Sequence, residues 1–468
     1  MTRLTSTAYA IRQAISTAYA IIASRITDSN GNPATLDCAL KIIFLIPLWI
    51  LGSATTKLDG KQIDNLIYTR LIALFNGQFQ LLHNSSPHLN DSTPHTPQQG
   101  TQQQSTTSPA LPSHGNASHI AAKHIRSGNI SRALNILCPN LPIADPNHPD
   151  TQSMLTSVFP DANTPPAQTH ISTTGLTAPV FADKDVYQII ATSKRGTGAG
   201  ISGLRFDHLR SLLDHNISPS ITIIINTLIS GKLILDQSIG NAAATLLLKD
   251  NNTVRPIMVL ETFIRIIGRL IDQRVTGKIA AALKHQFAIH NKSAITQVPT
   301  ALRIVMANCP DKLTLKVDLR NAFGTIDRAY LSQRISALTP EHPALAHYWN
   351  LIYAKANAAI TRGTAKHQAT TGVLQGDPLA TLFFCIGISK ALIDTGAILN
   401  NDELIFAYVD DIPMVVSSDN LTPTLKALYN NLAPIGLTVM QHRKMSNIST
   451  LCHCSDPKRH PTKHPSQK

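Results

Sequence analysis

The sequence predicts an α/β (α+β) fold, and three observations carry that prediction. Beyond about residue 180, helix-like and strand-like stretches alternate. The run "LIFAYVDDIPMVV" (Leu404 to Val416) reads as two apolar strands folded about a pair of aspartates. The run "TTGVLQGDPLATLFFCIGISKAL" turns from a Gly/Pro-marked loop into an apolar helix. With "LTLKVDL" (Leu313 to Leu319) as an earlier strand and a helical segment from Arg328 onward, the order is strand, helix, helix, strand pair. That is the order of a mixed layer with an antiparallel hairpin.

The 468 residues suffice for two or three domains, and 43% hydrophobic content supplies a core. Forty-one Lys and Arg against 28 Asp and Glu leave a formal charge of +13. Such a surplus favours a polyanionic partner, nucleic acid first and an anionic membrane second. The six cysteines, at 38, 138, 309, 385, 452 and 454, lack a disulfide-framework spacing, which suits a reducing compartment. No secretory signal is evident at the N-terminus, so the expected location is intracellular, nucleus or cytoplasm. The most apolar run, "ALKIIFLIPLWILG" (Ala39 to Gly52), is too short to span a bilayer and contains Lys41 and Pro47. It predicts a buried or partner-binding helix, with no membrane.

Taken in order, residues 1–85 read as a helical N-terminal extension. Residues 86–116 are dominated by Ser, Thr, Pro and Gln, cannot form a core, and predict a disordered linker. Helical text resumes over residues 117–180, beginning with "HIAAKHIRSGNISRALNIL".

The paired aspartates raise the chemical question. A buried carboxylate costs several kcal/mol without compensation, and two like charges side by side add to that cost. A hairpin turn at Asp410 and Asp411 projects both from the sheet edge, and Asp318 ends a third strand. When that strand lies beside the hairpin, three acids converge at one rim. Such a cluster calls for cations, and Mg²⁺ suits because it takes a few carboxylates and leaves sites for phosphate oxygens and water. Two ions would clamp the attacking and departing oxygens of a phosphoryl displacement. The alternative is an exposed Asp-Asp turn with an unrelated Asp318; taken alone, that reading leads, because such turns are common.

The surrounding text changes the balance. Tyr408-Val409-Asp410-Asp411, "DLRNAFGTIDR" (Asp318 to Arg328) and "GVLQGDPLATLFF" (Gly372 to Phe384) stand in order, with Asp318 58 positions before Gly376 and Gly376 34 before Asp410. Upstream stand "GISGLRFDHLRSLL" and "LLLKDNNTVRPIMVLETFIRIIGRLI". With these five motifs the sequence, from about Ala117 to Lys444, resembles the reverse transcriptase (RNA-directed DNA polymerase) family, of the kind encoded by non-LTR retrotransposons.

The resemblance implies a right-hand polymerase, with fingers over residues 181–300 and a palm with a ferredoxin-like sheet over 301–444; the basic, Pro-containing text of residues 445–468 predicts a disordered tail. The resemblance also implies RNA template, DNA primer and dNTPs as partners, and two Mg²⁺ ions as cofactors, with Mn²⁺ a substitute. By resemblance Asp318 and Asp410 bind the ions and Asp411 supports the second. Phe323 stands where the family places an aromatic against the sugar 2′ position, favouring deoxynucleotides. For its side chain taken alone, core packing is the stronger reading. Gln375 and Gly376 border the template–nucleotide pair, the missing side chain of Gly376 allowing close approach. Asp377 and Pro378 suit a helix N-terminus.

By the same resemblance Lys249 and Arg255 would reach the incoming triphosphate, as a point charge and a forked contact. Two solvated basic residues on a turn are the usual fate of these side chains. In the following helix Phe263, Ile266, Ile267, Leu270 and Ile271 share a face, while Arg265, Arg269 and Gln273 fall elsewhere, toward template phosphates or plain solvent. Lys444 resembles the family's lysine near the leaving pyrophosphate.

The departures are specific. Ser202 replaces the family's Asp in its upstream motif, and Asp250-Asn251-Asn252 replaces a glycine-rich loop, where Asn tolerates left-handed backbone. Pro413 sits in the second hairpin strand and requires an edge or an outward-facing nitrogen. After Lys444 no thumb is read, and no endonuclease or RNase H constellation appears. Hence the alternative to an active polymerase is a truncated, inactive remnant that binds nucleic acid. An RNA-dependent RNA polymerase is disfavoured, since that class usually shows Gly before the paired acids and a small residue in place of Phe323. Cys452, Cys454, His460 and His464 are loosely compatible with zinc, though a basic Pro-containing terminus is usually disordered.

Overall fold

A computed structural model describes residues 9–29, 32–51, 60–84, 114–126, 136, 143–231, 237–249, 253–289, 293–361 and 364–444. Most of the predicted linker, the Asp250-Asn251-Asn252 loop and the whole tail with its four candidate zinc ligands lie outside the described residues. The chain divides into two compact units, one of residues 1–275 and 323–380, the other of 276–322 and 381–468.

In the first unit, the N-terminal text folds as helices Tyr9–Asp28, Pro33–Leu51, Gly60–Phe75 and Phe79–Asn84. Ile11, Ile15, Ala18, Tyr19, Ile22, Ala23 and Ile26 recur at helical spacing and are buried. Asn32 caps the second helix, its side-chain oxygen accepting from the Ala34 and Thr35 amides at 3.0 and 3.3 Å, with Pro33 in the first turn. The apolar run lies in that helix and buries Ala39, Leu40, Ile43, Ile46, Trp49 and Ile50. Among the described residues no helix is long and apolar enough to cross a membrane.

The first helix is pinned to the rest of this unit. Ser16 donates to the His215 carbonyl at 2.7 Å, and Gln13 Oε1 lies 2.8 Å from His215 Nδ1. Tyr19 and Phe44 pack edge-on against Phe263. Phe263 opens the helix Thr262–Ala280, where Ile266, Ile267, Leu270 and Ile271 are also buried, as their spacing predicts. On the polar side, Arg265 and Arg269 stack over the Phe206 ring, and they donate to the Gly198 carbonyl and the Ser193 hydroxyl. These two guanidiniums therefore brace the 193–206 segment.

Four strands of this unit form one sheet in the order β2-β1-β4-β5: β1 Ala242–Leu248, β2 Val254–Val259, β4 Asn357–Thr361 and β5 Thr364–Ala369. β1 and β2 form an antiparallel hairpin, and β4 lies parallel to β1.

In the second unit, β3 Leu313–Leu319, β6 Leu404–Ile405, β7 Ile412–Val416 and β8 Val439–Lys444 form a sheet ordered β6-β7-β3-β8, every neighbour pair antiparallel. Helix Ala380–Gly396 precedes the β6–β7 hairpin and Ser418–Leu432 follows it. This is a split strand-helix-strand arrangement used twice. Leu302, Phe406 and Val415 form part of its core. The mixed α/β class read from the sequence is the class observed.

Pro413 falls on β7, an interior strand, opposite Lys316 of β3. Its carbonyl accepts from Phe406 at 3.2 Å. Backbone nitrogen and oxygen of one strand residue face the same neighbour in an antiparallel pair. The absent N–H thus faces the β6 side, where the strand ends at Ile405. That explains why β6 has two residues where the apolar text suggested a longer strand.

Candidate active site

The three predicted acids all belong to the second unit. Asp318 is exposed near the end of β3, and the register facing Val317 with Ile412 brings it opposite Asp411 one step on. Asp410 and Asp411 sit in the turn closed by Tyr408 and Asp411, whose backbones exchange hydrogen bonds of 2.8 and 3.2 Å. Val409 carries φ +60° in that turn. A β-branched residue rarely takes such backbone, since its Cβ crowds the following carbonyl.

The electrostatics fit convergence. Burial raises Asp410 above the ordinary carboxylate range; the charges of Asp411 and Asp318 raise it further, and Lys316 opposes them. Lys316 reaches Asp411 at 2.7 Å. Cys385, on the helix after the Gln375-Gly376 loop, is pushed up by burial and by the Asp410 charge. The three carboxylates are close enough to influence protonation of Asp410, a condition that a hard divalent cation relieves. Among the described residues, no three His, Cys, Asp or Glu side chains are arranged as a ready ligand set for one ion. The donor chemistry fits such a cation, and Lys316 meets part of the charge.

A segment that sequence reading missed holds this turn. Ala407 donates to the His285 carbonyl at 2.6 Å, and Phe287 donates to the Ala407 carbonyl at 2.9 Å. Gln286 then receives the Val409 amide at 2.9 Å and donates to the Val409 carbonyl at 3.2 Å. The signal was absent from the text, because the two stretches lie 123 positions apart.

The remaining candidates, Lys249, Arg255, Phe323, Gln375 and Gly376, belong to the first unit. Leu247 pairs with Arg255 and Leu248 with Val254, and the Lys249 amide donates to Thr253 at 2.8 Å, so both basic residues stand at the tip of the β1–β2 hairpin. Arg255 is exposed there. The half-buried Phe323 offers its carbonyl to the Val373 amide at 2.7 Å, tying it to the Gln375-Gly376 loop. Gln375 in turn accepts from the Met258 amide of β2 at 2.7 Å. Gly376 has φ +129°, and a Cβ there would lie 2.3 Å from the Met258 carbonyl. The close approach that demands glycine is therefore to β2.

Asp377 is buried beneath that loop. It accepts hydrogen bonds from the Tyr348 and Tyr353 hydroxyls and from the Leu379 amide, and Tyr353 also accepts from Leu374. Burial raises its pKa, making it a weaker acid, while these donors oppose the rise. Arg328, fully buried, donates to the carbonyls of Gly372, Tyr353 and Lys355 and to Asn357 Oδ1. The loop is thus fixed from below at both ends. In the upstream motif, Ser202 gives its amide and hydroxyl to buried Glu261, each at 2.6 Å.

Residues 247–451 match the family model described as "Reverse transcriptase (RNA-dependent DNA polymerase)". The chain carries a reverse transcriptase domain. The match takes in the tip of the β1–β2 hairpin, all of β2 and the three acids. Reverse transcriptase domains use divalent metal ions, and their reaction takes an RNA template, a primer and dNTPs. No curated protein matches the chain in sequence.

Proposed function

We propose that this chain is the RNA-directed DNA polymerase of a retrotransposon-like element of the non-LTR type. In this reading residues 181–300 serve as fingers and 301–444 as palm, with β6-β7-β3-β8 as a ferredoxin-like palm sheet. One observation carries it: Asp318, on β3, and the Asp410–Asp411 turn meet at one end of one sheet, and their charges act together on Asp410.

The chemistry is nucleotidyl transfer. The primer 3′-oxygen forms a bond to the α-phosphorus of a dNTP, the bond from that phosphorus to the bridging oxygen breaks, and pyrophosphate departs. Asp318 and Asp410 hold the metal, with Asp411 supporting. When bound, two Mg²⁺ ions lower the 3′-hydroxyl pKa and offset the triphosphate charge. Arg255 grips phosphate by a fork and Lys249 as a point charge. Phe323 excludes the ribose 2′-hydroxyl, and Gln375-Gly376 borders the template pair.

Purified protein offered an RNA template, a DNA primer and labelled nucleotides with Mg²⁺ tests this directly. Deoxynucleotide incorporation that disappears in Asp410→Asn supports the polymerase. Binding without incorporation selects the inactive remnant, and a ribonucleotide preference selects an RNA polymerase.

A further inference from the structure

We propose that Gln286 is the positioning residue of the Asp410–Asp411 turn, holding Val409 in left-handed backbone and thereby aiming Asp410. This rests on the polymerase reading for its catalytic consequence, but not for its structural one.

The argument begins with the turn. Val409 sits at φ +60°, where a valine side chain is strained. Conformations of that kind persist when surrounding groups over-determine them. Here the surroundings are specific. Both the N–H and the C=O of Val409 are engaged by one side chain, the amide of Gln286, at 2.9 and 3.2 Å. A primary amide is the side-chain group that can accept and donate at adjacent atoms without charge. A carboxylate in its place would lack the donor and add a negative charge beside Asp410.

Gln286 is itself fixed. It is 7% exposed, and its neighbours on both sides are laced to the strand leading into the turn. His285 gives its carbonyl to Ala407 and sets its ring nitrogen 2.8 Å from the Ile405 carbonyl, while Phe287 bonds Ala407 and packs edge-on against Phe406. The side chain therefore starts from a rigid base and ends on the residue before Asp410. Misplacing a reacting group by about an ångström can cost on the order of a hundredfold in rate. A lever on Val409 is consequently a lever on the cluster.

The test combines Gln286→Ala, Gln286→Glu and Val409→Gly, because glycine adopts positive φ without a clamp. In the wild type, incorporation and amide hydrogen exchange over residues 405–412 set the baseline. Gln286→Ala is expected to lower kcat at least about tenfold while the dNTP KM moves less than about twofold. It should also speed exchange of the Val409 amide and leave helix 418–432 unchanged. Gln286→Glu, which fills the same volume, should lose activity too. Adding Val409→Gly to Gln286→Ala should recover most of the lost kcat.

Failure of that rescue, or unchanged exchange at Val409, would overturn the assignment. Unfolding of both Gln286 variants, seen as exchange through helix 418–432, would make Gln286 a core residue and also overturn it. If the wild type incorporates nothing, the polymerase reading fails separately. The exchange result with and without Val409→Gly then still decides whether Gln286 holds the turn.

Discussion

Lys316 Nζ lies 2.7 Å from Asp411 Oδ1, and Lys316 precedes Asp318 by two positions on the same strand. Side chains two apart in a strand share a face, so this ammonium is on the acidic rim. It offsets negative charge that a metal would otherwise meet. Both groups are 43% exposed, and an exposed pair of this kind is worth only ~0.2–1 kcal/mol. Lys316→Met should therefore lower the Mg²⁺ concentration for half-maximal incorporation by a factor of about 1.5 to 5. A Mg²⁺ titration of primer extension reads this; an unchanged or higher requirement would count against the pairing.

Asp410 gives a stability prediction with a definite sign. Its folded-state pKa is raised above 3.8, chiefly by burial and then by Asp411 and Asp318. The folded chain holds that proton more tightly than the unfolded one, so stability falls as pH rises from 3.8 through the raised value, and stays lower above it. Asn has no such proton. Asp410→Asn should thus gain stability over wild type at pH 7.5, gain less at pH 4, and lose on the order of a hundredfold or more in incorporation. Metal-free denaturant titrations at the two pH values make the comparison.

What could be read from the text and what could not differ for physical reasons. Leu313 to Leu319 and the paired aspartates announced themselves because a charge inside an apolar run is locally expensive. The buried face of helix 262–280 was legible through its 3.6-residue period. Gln286 was not legible, because one glutamine in irregular chain has no period and its partner lies 123 positions away. Likewise the text reads Gly376 as a close approach to the template–nucleotide pair, and only the fold shows that Met258 fills the space a side chain would take. The interior place of Pro413 was not legible, because only the fold shows that its missing N–H falls opposite Phe406, just past the end of β6.

Asp377 offers a test of the loop's support. Its carboxylate accepts from Tyr348 at 2.5 Å and from Tyr353, both hydroxyls buried. Asp377→Leu strands the two hydroxyls and the Leu379 amide, and a buried donor costs ~1–3 kcal/mol when unsatisfied. A loss of about 2–5 kcal/mol is expected from denaturant unfolding. Asp377→Asn retains an acceptor and should lose less. Equal losses for the two variants would mean that volume, not hydrogen bonding, decides the site.

His208 is expected to contribute to the acid sensitivity of the first unit. It is 6% exposed, and burial first, then the charge of Arg205, lowers its pKa from 6.5 to about 4. A depressed histidine binds its proton more readily when unfolded, so its effect is full above 6.5 and is lost as pH falls toward about 4. The slope amounts to roughly 3 kcal/mol across that window. His208→Gln should flatten it, bringing the denaturant midpoints at pH 4.5 and pH 7 closer together than in wild type. Parallel shifts in both proteins would place the acid sensitivity elsewhere.

Gly376 and Gly77 separate backbone strain from collision. Both have positive φ, +129° and +69°, but a Cβ at Gly77 meets nothing within 4 Å while one at Gly376 would lie 2.3 Å from the Met258 carbonyl. Gly77→Ala should cost ~1 kcal/mol, the ordinary penalty of left-handed backbone. Gly376→Ala must in addition push the loop off β2 and break the 2.7 Å bond from the Met258 amide to Gln375. Its cost should reach about 3–5 kcal/mol, among the largest a single substitution produces. The two variants are compared by denaturant unfolding, with incorporation measured alongside. Similar small losses at both glycines would show that the loop yields easily and that Gly376 is not held against β2.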